Sequence, residues 1–333
     1  MTELAFKQGL YPYYAPLLFK FVRVFARYKL WRWRESADQL DALAQHYWDR
    51  FLANRFEQEL RNRGKSIYQG LTVLQENDKT AYIIGCGPSI NQVSAKQWAH
   101  IGEHFSIGLN HFYVHEFTPN CYFCEFANNP EFLALIYQRL LDNPQRQQSQ
   151  VNISGHYILF RGQGYRAPAV QNPFFYITRS LRLTSKNLLK KLTKTYFEMD
   201  TPFVTHHISN LDTAIHCAVK QGFKDICLVG IDLNNDGYFW DHEDKPFYQD
   251  ARDFIRSFHQ QVEYKQDGQG VHATASEEVA QKLGKLTISE YLELLHEHVL
   301  SPLGITLWVH NESSLLAKVL PVKKLDQLGK NNV

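Results

Sequence analysis

Short apolar runs in this sequence end in small or polar residues, and those endings are where chemistry would be done. The run at 80–85 leads into Gly85-Cys86-Gly87-Pro88-Ser89, and that at 105–109 into Asn110. The run at 121–126 leads into Asn128-Asn129-Pro130, that at 225–230 into Asp232, and that at 305–309 into Asn311. In an open parallel sheet, ligands bind beyond the carboxyl ends of the strands, so five such endings predict one polar crevice. The Gly85–Ser89 loop has the parts of a phosphate cradle. Gly85 permits a tight turn, Gly87 lets a ligand approach the backbone, Pro88 presets the next segment, and Ser89 can cap it or donate to an oxygen. It is neither a Gly-x-Gly-x-x-Gly fingerprint nor a Walker loop. In the stretch 205–232, a polar loop opens a helix at Ser209 and Asn210, where caps and anion contacts both belong. Gly222 closes that helix, and a strand ending in Asp232 follows. His216, on the helix, reads as packing. His272 lies in the loop 270–276 before a long helix, where an imidazole near neutral pKa can act as a general base.

The elements that must hold these residues follow from hydrophobic spacing. Six apolar runs, the five above and 157–160, alternate with helical patterns at 130–141, 180–192, 212–221 and 276–299. Strands alternating with helices predict an α/β fold with an open, mostly parallel, Rossmann-like sheet. The organisation expected is a helical extension over 1–75, a nucleotide-sugar-binding catalytic domain over 76–322 and a polar tail over 323–333. Within the extension, Leu17, Phe21, Val24, Tyr28 and Trp31 follow helical spacing. Lys20, Arg23, Arg27 and Arg34 gather on another side, and no acid lies between Leu17 and Arg34. A basic amphipathic helix with Trp and Phe is the kind that lies flat on anionic lipid. A helix docked on the domain with its basic face solvated is the other reading.

Composition narrows the classes. The chain has 333 residues, a net charge of only +2, and 14% aromatic residues, so bulk electrostatics do not make it a nucleic-acid binder. No run is long and apolar enough for a membrane span. Five cysteines, an odd number, argue against a closed disulfide framework, and reduced thiols suit the cytoplasm. Cys121 and Cys124 form a lone Cys-x-x-Cys whose aromatic neighbours read as a buried strand rather than a zinc or redox pair. The sequence contains no Asp-x-Asp pair for holding a metal. Asp236, Asp241, His242, Glu243 and Asp244 form a polar cluster that could hold a metal and read rather as a solvated lid.

In order and spacing, these pieces resemble glycosyltransferase family 42, the bacterial CMP-sialic-acid sialyltransferases, over roughly residues 80–320. The resemblance rests on Gly85-Cys-Gly-Pro-Ser-Ile90, Ser209-Asn210, the block from Gly222 to Asp232, His272, and Ser313-Ser-Leu-Leu-Ala317. It implies a GT-A-like sialyltransferase fold and an inverting, metal-independent transfer. A CMP-sugar would be the donor substrate, with no cofactor, and a glycan or glycolipid of the lipooligosaccharide or capsule type would be the acceptor. His272 takes the place of the catalytic base, while Asn110, Asn129, Ser209 and Asn210 take donor-contact positions. Two tyrosines that hold the leaving phosphate correspond to Asn234 and to Tyr238 or Trp240. Asp232 caps its strand or binds ribose. Cys86, His207 and Leu211 depart from the family's Asn, Arg and Gly around the donor, so Kdo or another nonulosonic acid is an alternative donor sugar. Motility-accessory-factor protein glycosyltransferases carry a similar Gly-x-Gly-Pro-Ser loop. A non-catalytic membrane or glycan-assembly scaffold on the same fold is the third reading. The expected location is cytoplasmic, peripheral at the inner membrane if the basic helix binds lipid.

Overall fold

The computed structural model describes residues 11–62, 64, 66–70, 80–124, 149–154, 174–181, 183–199, 204–234, 237–241, 253 and 272–325. Helices α1 (Tyr11–Trp33) and α2 (Leu40–Asn62) precede strand β1 (Thr80–Ile84). Helix α3 (Ala95–Gly102), β2 (Phe105–Leu109), β3 (Cys121–Cys124), β4 (Gln150–Ser154), β5 (Phe174–Tyr176) and β6 (Thr178–Ser180) come next. The chain continues through α4 (Lys186–Glu198), β7 (Val204–His206), α5 (Asn210–Lys220), β8 (Asp225–Val229), α6 (Glu277–Leu283), α7 (Ile288–Leu295) and β9 (Thr306–Val309).

Seven strands form one sheet in the order β5-β4-β3-β2-β1-β8-β9, and every pairing is parallel. β6 and β7 make a separate parallel pair. The fold is therefore α/β with an open parallel sheet, as the alternation of runs predicts. The central strands are mostly apolar because both of their faces are covered, with Ser106 of β2 a buried polar exception. Ala81 and Ile83 enter one core cluster with α4, α5 and α7, while Tyr82 and Ile84 enter the other. α2 reaches both, giving Leu43 and Ala44 to the first and Ala53, Phe56 and Leu60 to the second. Arg179 of β6 fastens α2 further, donating to Asn54 Oδ1 at 2.8 Å and Glu57 Oε2 at 2.7 Å.

The predicted helix at 180–192 starts later. Ser180 ends β6, and Ser185 caps α4 by accepting from the Leu188 amide. The long helix predicted at 276–299 is interrupted. Gly284 ends α6 with φ 63°, and Thr287 with Glu290 forms a capping box that starts α7. The predicted strand at 157–160 and helix at 130–141 lie outside the described residues. Cys121 and Cys124 fall on opposite faces of the sheet, one in each core cluster, so three-residue spacing on a strand keeps the two thiols apart. All five cysteines are free thiols. No helix among the described residues is long and apolar enough to cross a membrane.

Candidate functional site

The order in which strands are added to the sheet reverses about β1. From there the strands run outward through β2 to β5, then return to its other side as β8 and β9. The crevice beyond the carboxyl ends at such a switch point is the default ligand site of an open α/β sheet. Here the exits of four adjacent strands meet: Asn110 after β2, Gly85–Ser89 after β1, Gly230–Asn234 after β8 and His310–Ser313 after β9. The last three of these exits border a cleft of about 360 Å³ lined by Pro88, Ser89, Gln92, Asp232, Asn234, Asn311 and Ser313.

Asp232 organises this cleft. It is buried, and its Oδ1 accepts from Ser89 Oγ at 2.6 Å and Asn311 Nδ2 at 2.9 Å. Its Oδ2 accepts from the Ser89 amide at 2.9 Å. The two glycines consequently have a different purpose from the one expected. A Cβ on Gly87 would collide with the Asp232 carboxylate, and one on Gly85 with the Ile231 side chain and the Gly230 carbonyl. What approaches the backbone closely is the protein's own β8 exit, and Ser89 donates to that exit rather than to a bound anion.

The backbone is strained at the same place. Asn110 has φ 49° and Leu233 φ 60°, two of the three positive-φ residues other than glycine among those described. For a bulky residue such as Leu233 the left-handed region is costly, on the order of 1–3 kcal/mol, and such residues cluster at functional sites. The Leu233 carbonyl accepts from the His272 amide at 2.8 Å, which fixes His272 one residue beyond Asp232 at the edge of the crevice. His272 is exposed, and its Nδ1 lies 2.9 Å from Thr274 Oγ1 and 3.3 Å from the Thr274 amide.

The start of α5 meets the neighbouring β2 exit. Asn210 Nδ2 donates to Asn110 Oδ1 at 2.7 Å, and Asn210 Oδ1 accepts from Tyr176 Oη at 2.9 Å. Thus two predicted donor contacts are joined to each other in a buried polar chain. The amides of His207, Ile208 and Ser209 all donate to Asp212, so an internal carboxylate already sits where an anion at this helix start would. Burial raises the Asp212 carboxyl, while His207 and the three amides pull it back. Ser209 Oγ and Asn234 Oδ1 are buried without a partner, two orphaned polar atoms that a ligand or water would satisfy.

The segment 237–241 is pinned to the β1 exit. The Phe239 amide donates to the Cys86 carbonyl at 3.0 Å, and Asn91 Nδ2 to the Phe239 carbonyl at 2.8 Å. Trp240 is 1% exposed and belongs to the core, stacked on Tyr238 at 4.5 Å, so burial removes it as a phosphate contact. Tyr238 is only partly buried. Cys86 donates its Sγ–H to the Leu109 carbonyl at 3.5 Å, and desolvation pushes this thiol up, so it remains protonated at neutral pH. His207 lies away from the cleft, its ring nitrogens 2.8 and 3.0 Å from the Leu181 and Leu286 carbonyls. Asn129 lies outside the described residues, as do Asp236, His242, Glu243 and Asp244 of the acidic stretch. Asp241 accepts from the Tyr238 amide at 2.9 Å.

Sequence reasoning left Gln92, Asn311 and Ser313 off the list of ligand residues. Asn311 was visible as a polar strand end and Ser313 as part of the Ser-Ser-Leu-Leu-Ala stretch. Gln92 carried no signal. No protein-family model matches the chain, and no curated protein sequence matches it. Among solved structures it is similar to a MAf glycosyltransferase from Magnetospirillum magneticum AMB-1, with 14% identity and a TM-score of 0.34. That likeness covers 54% of this chain and 27% of the other. A likeness of this extent decides nothing about chemistry, which has to be read from the crevice.

Proposed function

We propose that the chain is an inverting glycosyltransferase with His272 as general base. It would move sialic acid or a related 2-keto sugar from a CMP donor to a glycan acceptor of the lipooligosaccharide or capsule type. The observation that carries this reading is the polar crevice at the switch point, with its strained exits and with His272 tethered to Leu233 at its edge. The order of motifs along the chain supports the choice of donor class.

In the proposed step, the bond between the anomeric carbon and the phosphate oxygen breaks, and its electron pair leaves on CMP. The acceptor oxygen bonds to the opposite face of that carbon, and its proton passes to His272 Nε2. Tyr238 Oη and Ser209 Oγ would donate to the departing phosphate, a stabilisation that matters because charge develops there. Ser89, Gln92, Asn234, Asn311 and Ser313 suit hydroxyl groups, since the described cleft lining has no cation.

A thermal-shift panel of CMP, UDP and GDP tests the donor: CMP should raise the melting temperature. Stabilisation by UDP with none by CMP would overturn the assignment. His272→Ala should lower transfer by about 10²–10⁴-fold while the CMP shift persists. Unchanged turnover in that variant would remove His272 as the base.

A further inference from the structure

Helix α1 presents an apolar face that the rest of the described chain does not cover. Ala26 and Leu30 are buried against the body, with Phe19, Val22 and Trp33 packed beside them. The opposite side carries Leu17, Leu18, Phe21, Val24, Phe25, Tyr28 and Trp31, with Phe21 65% and Trp31 73% exposed. Elsewhere among the described residues, only Leu283 and Leu303 are large hydrophobics exposed to a comparable degree. Helical spacing places Lys20 and Arg27 along one border of this face and Lys29 along the other, with Arg32 within its last turn. Six basic residues and no acid lie from Leu17 to Arg34, whereas the net charge of the whole chain is only +2, so the remainder is net acidic.

We infer that this face is a docking surface for an anionic lipid bilayer, on which α1 lies flat with its aromatic stripe among the headgroups. Three features select that occupant. The cations border the apolar face, so both meet one plane together. Trp, Tyr and Phe are the side chains that settle at a membrane interface. The net positive charge is concentrated along Leu17–Arg34, so attraction to an anionic surface orients the molecule by this helix. The helix is anchored to the body by its other face, so docking need not unfold it. This inference does not depend on the proposed glycosyl transfer.

Cosedimentation of the full chain with vesicles tests it. The chain should pellet with phosphatidylglycerol–phosphatidylcholine vesicles and stay in solution with pure phosphatidylcholine. Binding should fall at least about tenfold as salt rises from about 0.05 M to about 0.5 M, because screening shortens the reach of the charges. The double variant Phe21→Asp/Trp31→Asp and the pair Lys20→Glu/Arg27→Glu should each lose binding while melting near the wild-type temperature, since all four side chains are exposed. Equal binding to neutral vesicles would overturn the inference, as would none to anionic vesicles at low salt. A dimer in sedimentation velocity that Phe21→Asp/Trp31→Asp dissociates, with no vesicle binding by the wild type, would assign the face to a second copy instead.

Discussion

Two buried aspartates each gather three hydrogen bonds, and their surroundings differ. Asp212, at the start of α5, takes three consecutive backbone amides and sits among His207, Tyr291 and apolar residues. Asp232, at the β8 exit, takes one amide and two side-chain donors from the neighbouring β1 and β9 exits, and it lines an open cleft. The first ties a loop onto its own helix. The second joins three separate segments, any of which a ligand can reach. A buried carboxylate thus marks a structural knot in one place and the wall of an open cleft in the other. Whether water can enter distinguishes them.

That comparison predicts unequal costs for the same deletion. Asp212→Ala leaves three amides without a partner in a dry site, where each orphaned donor costs about 1–3 kcal/mol, so a loss of about 3–5 kcal/mol is expected after partial relaxation. Asp232→Ala leaves its donors facing the cleft, where water replaces the carboxylate, and should cost about 1–3 kcal/mol. Urea unfolding of both variants measures the difference. Equal losses would show that the Asp232 site is as dry as the other, and the open-cleft description would fail.

The sequence revealed this contrast only in part. The central strands were legible because a strand buried on both faces has to be apolar: β2 is all buried and was predicted at its observed bounds. β4 was not legible, because Gln150 and Asn152 are buried in it. Gln150 Nε2 donates to Asn152 Oδ1 at 2.9 Å and Asn152 Nδ2 to the Tyr122 carbonyl at 3.2 Å, a solution that only the folded neighbour supplies. The three-residue strands β5, β6 and β7 are too short to show a period. At the crevice, Gly85, Gly87 and Asp232 stood out by type. Their mutual contact did not, because a glycine indicates that something comes close without saying what. Trp240 was a candidate because it followed the strand end at a suitable distance, and only packing shows it to be buried.

Histidines extend the comparison. His46, His207 and His216 surround the small β6–β7 sheet. Burial lowers the first two to about 4 and the third to about 3. The Ser180 carbonyl beside His46, and Asp212 beside His207, oppose that shift, while Arg50, Lys285 and Lys220 reinforce it. The folded state keeps these rings neutral where the unfolded chain protonates them near 6.5. Their stabilisation is therefore full above pH 6.5 and is lost as pH falls from 6.5 toward about 4. Within that window the slope should approach about 4 kcal/mol per pH unit if all three contribute. His216→Gln should flatten it by about a third. An undiminished slope in His46→Gln, His207→Gln and His216→Gln alike would move the acid sensitivity away from the small sheet.

His272 is the opposite case: it is exposed, and its Nδ1 lies against Thr274. Its Nδ1 faces both Thr274 Oγ1 and the Thr274 amide. If the amide donates to Nδ1, the neutral ring carries its proton on Nε2 and has no lone pair there for an acceptor hydroxyl. If Nδ1–H donates to the hydroxyl oxygen, Nε2 is left ready to take a proton. In the structure the amide donates to Nδ1, so the resting ring is the first tautomer, and reaching the second depends on the hydroxyl oxygen accepting from Nδ1–H. Thr274 would then be a positioning residue, and Thr274→Val would remove the acceptor that selects the competent tautomer while keeping the shape of the side chain. The expected outcome is a fall in kcat of about tenfold, near 1.4 kcal/mol, with KM and melting temperature nearly unchanged. Thr274→Ser should restore most of the rate, because it returns the hydroxyl. A valine variant with wild-type kcat, or a serine variant as slow as valine, would show that the hydroxyl does not select the tautomer and that His272 relies on its backbone tether to Leu233 alone.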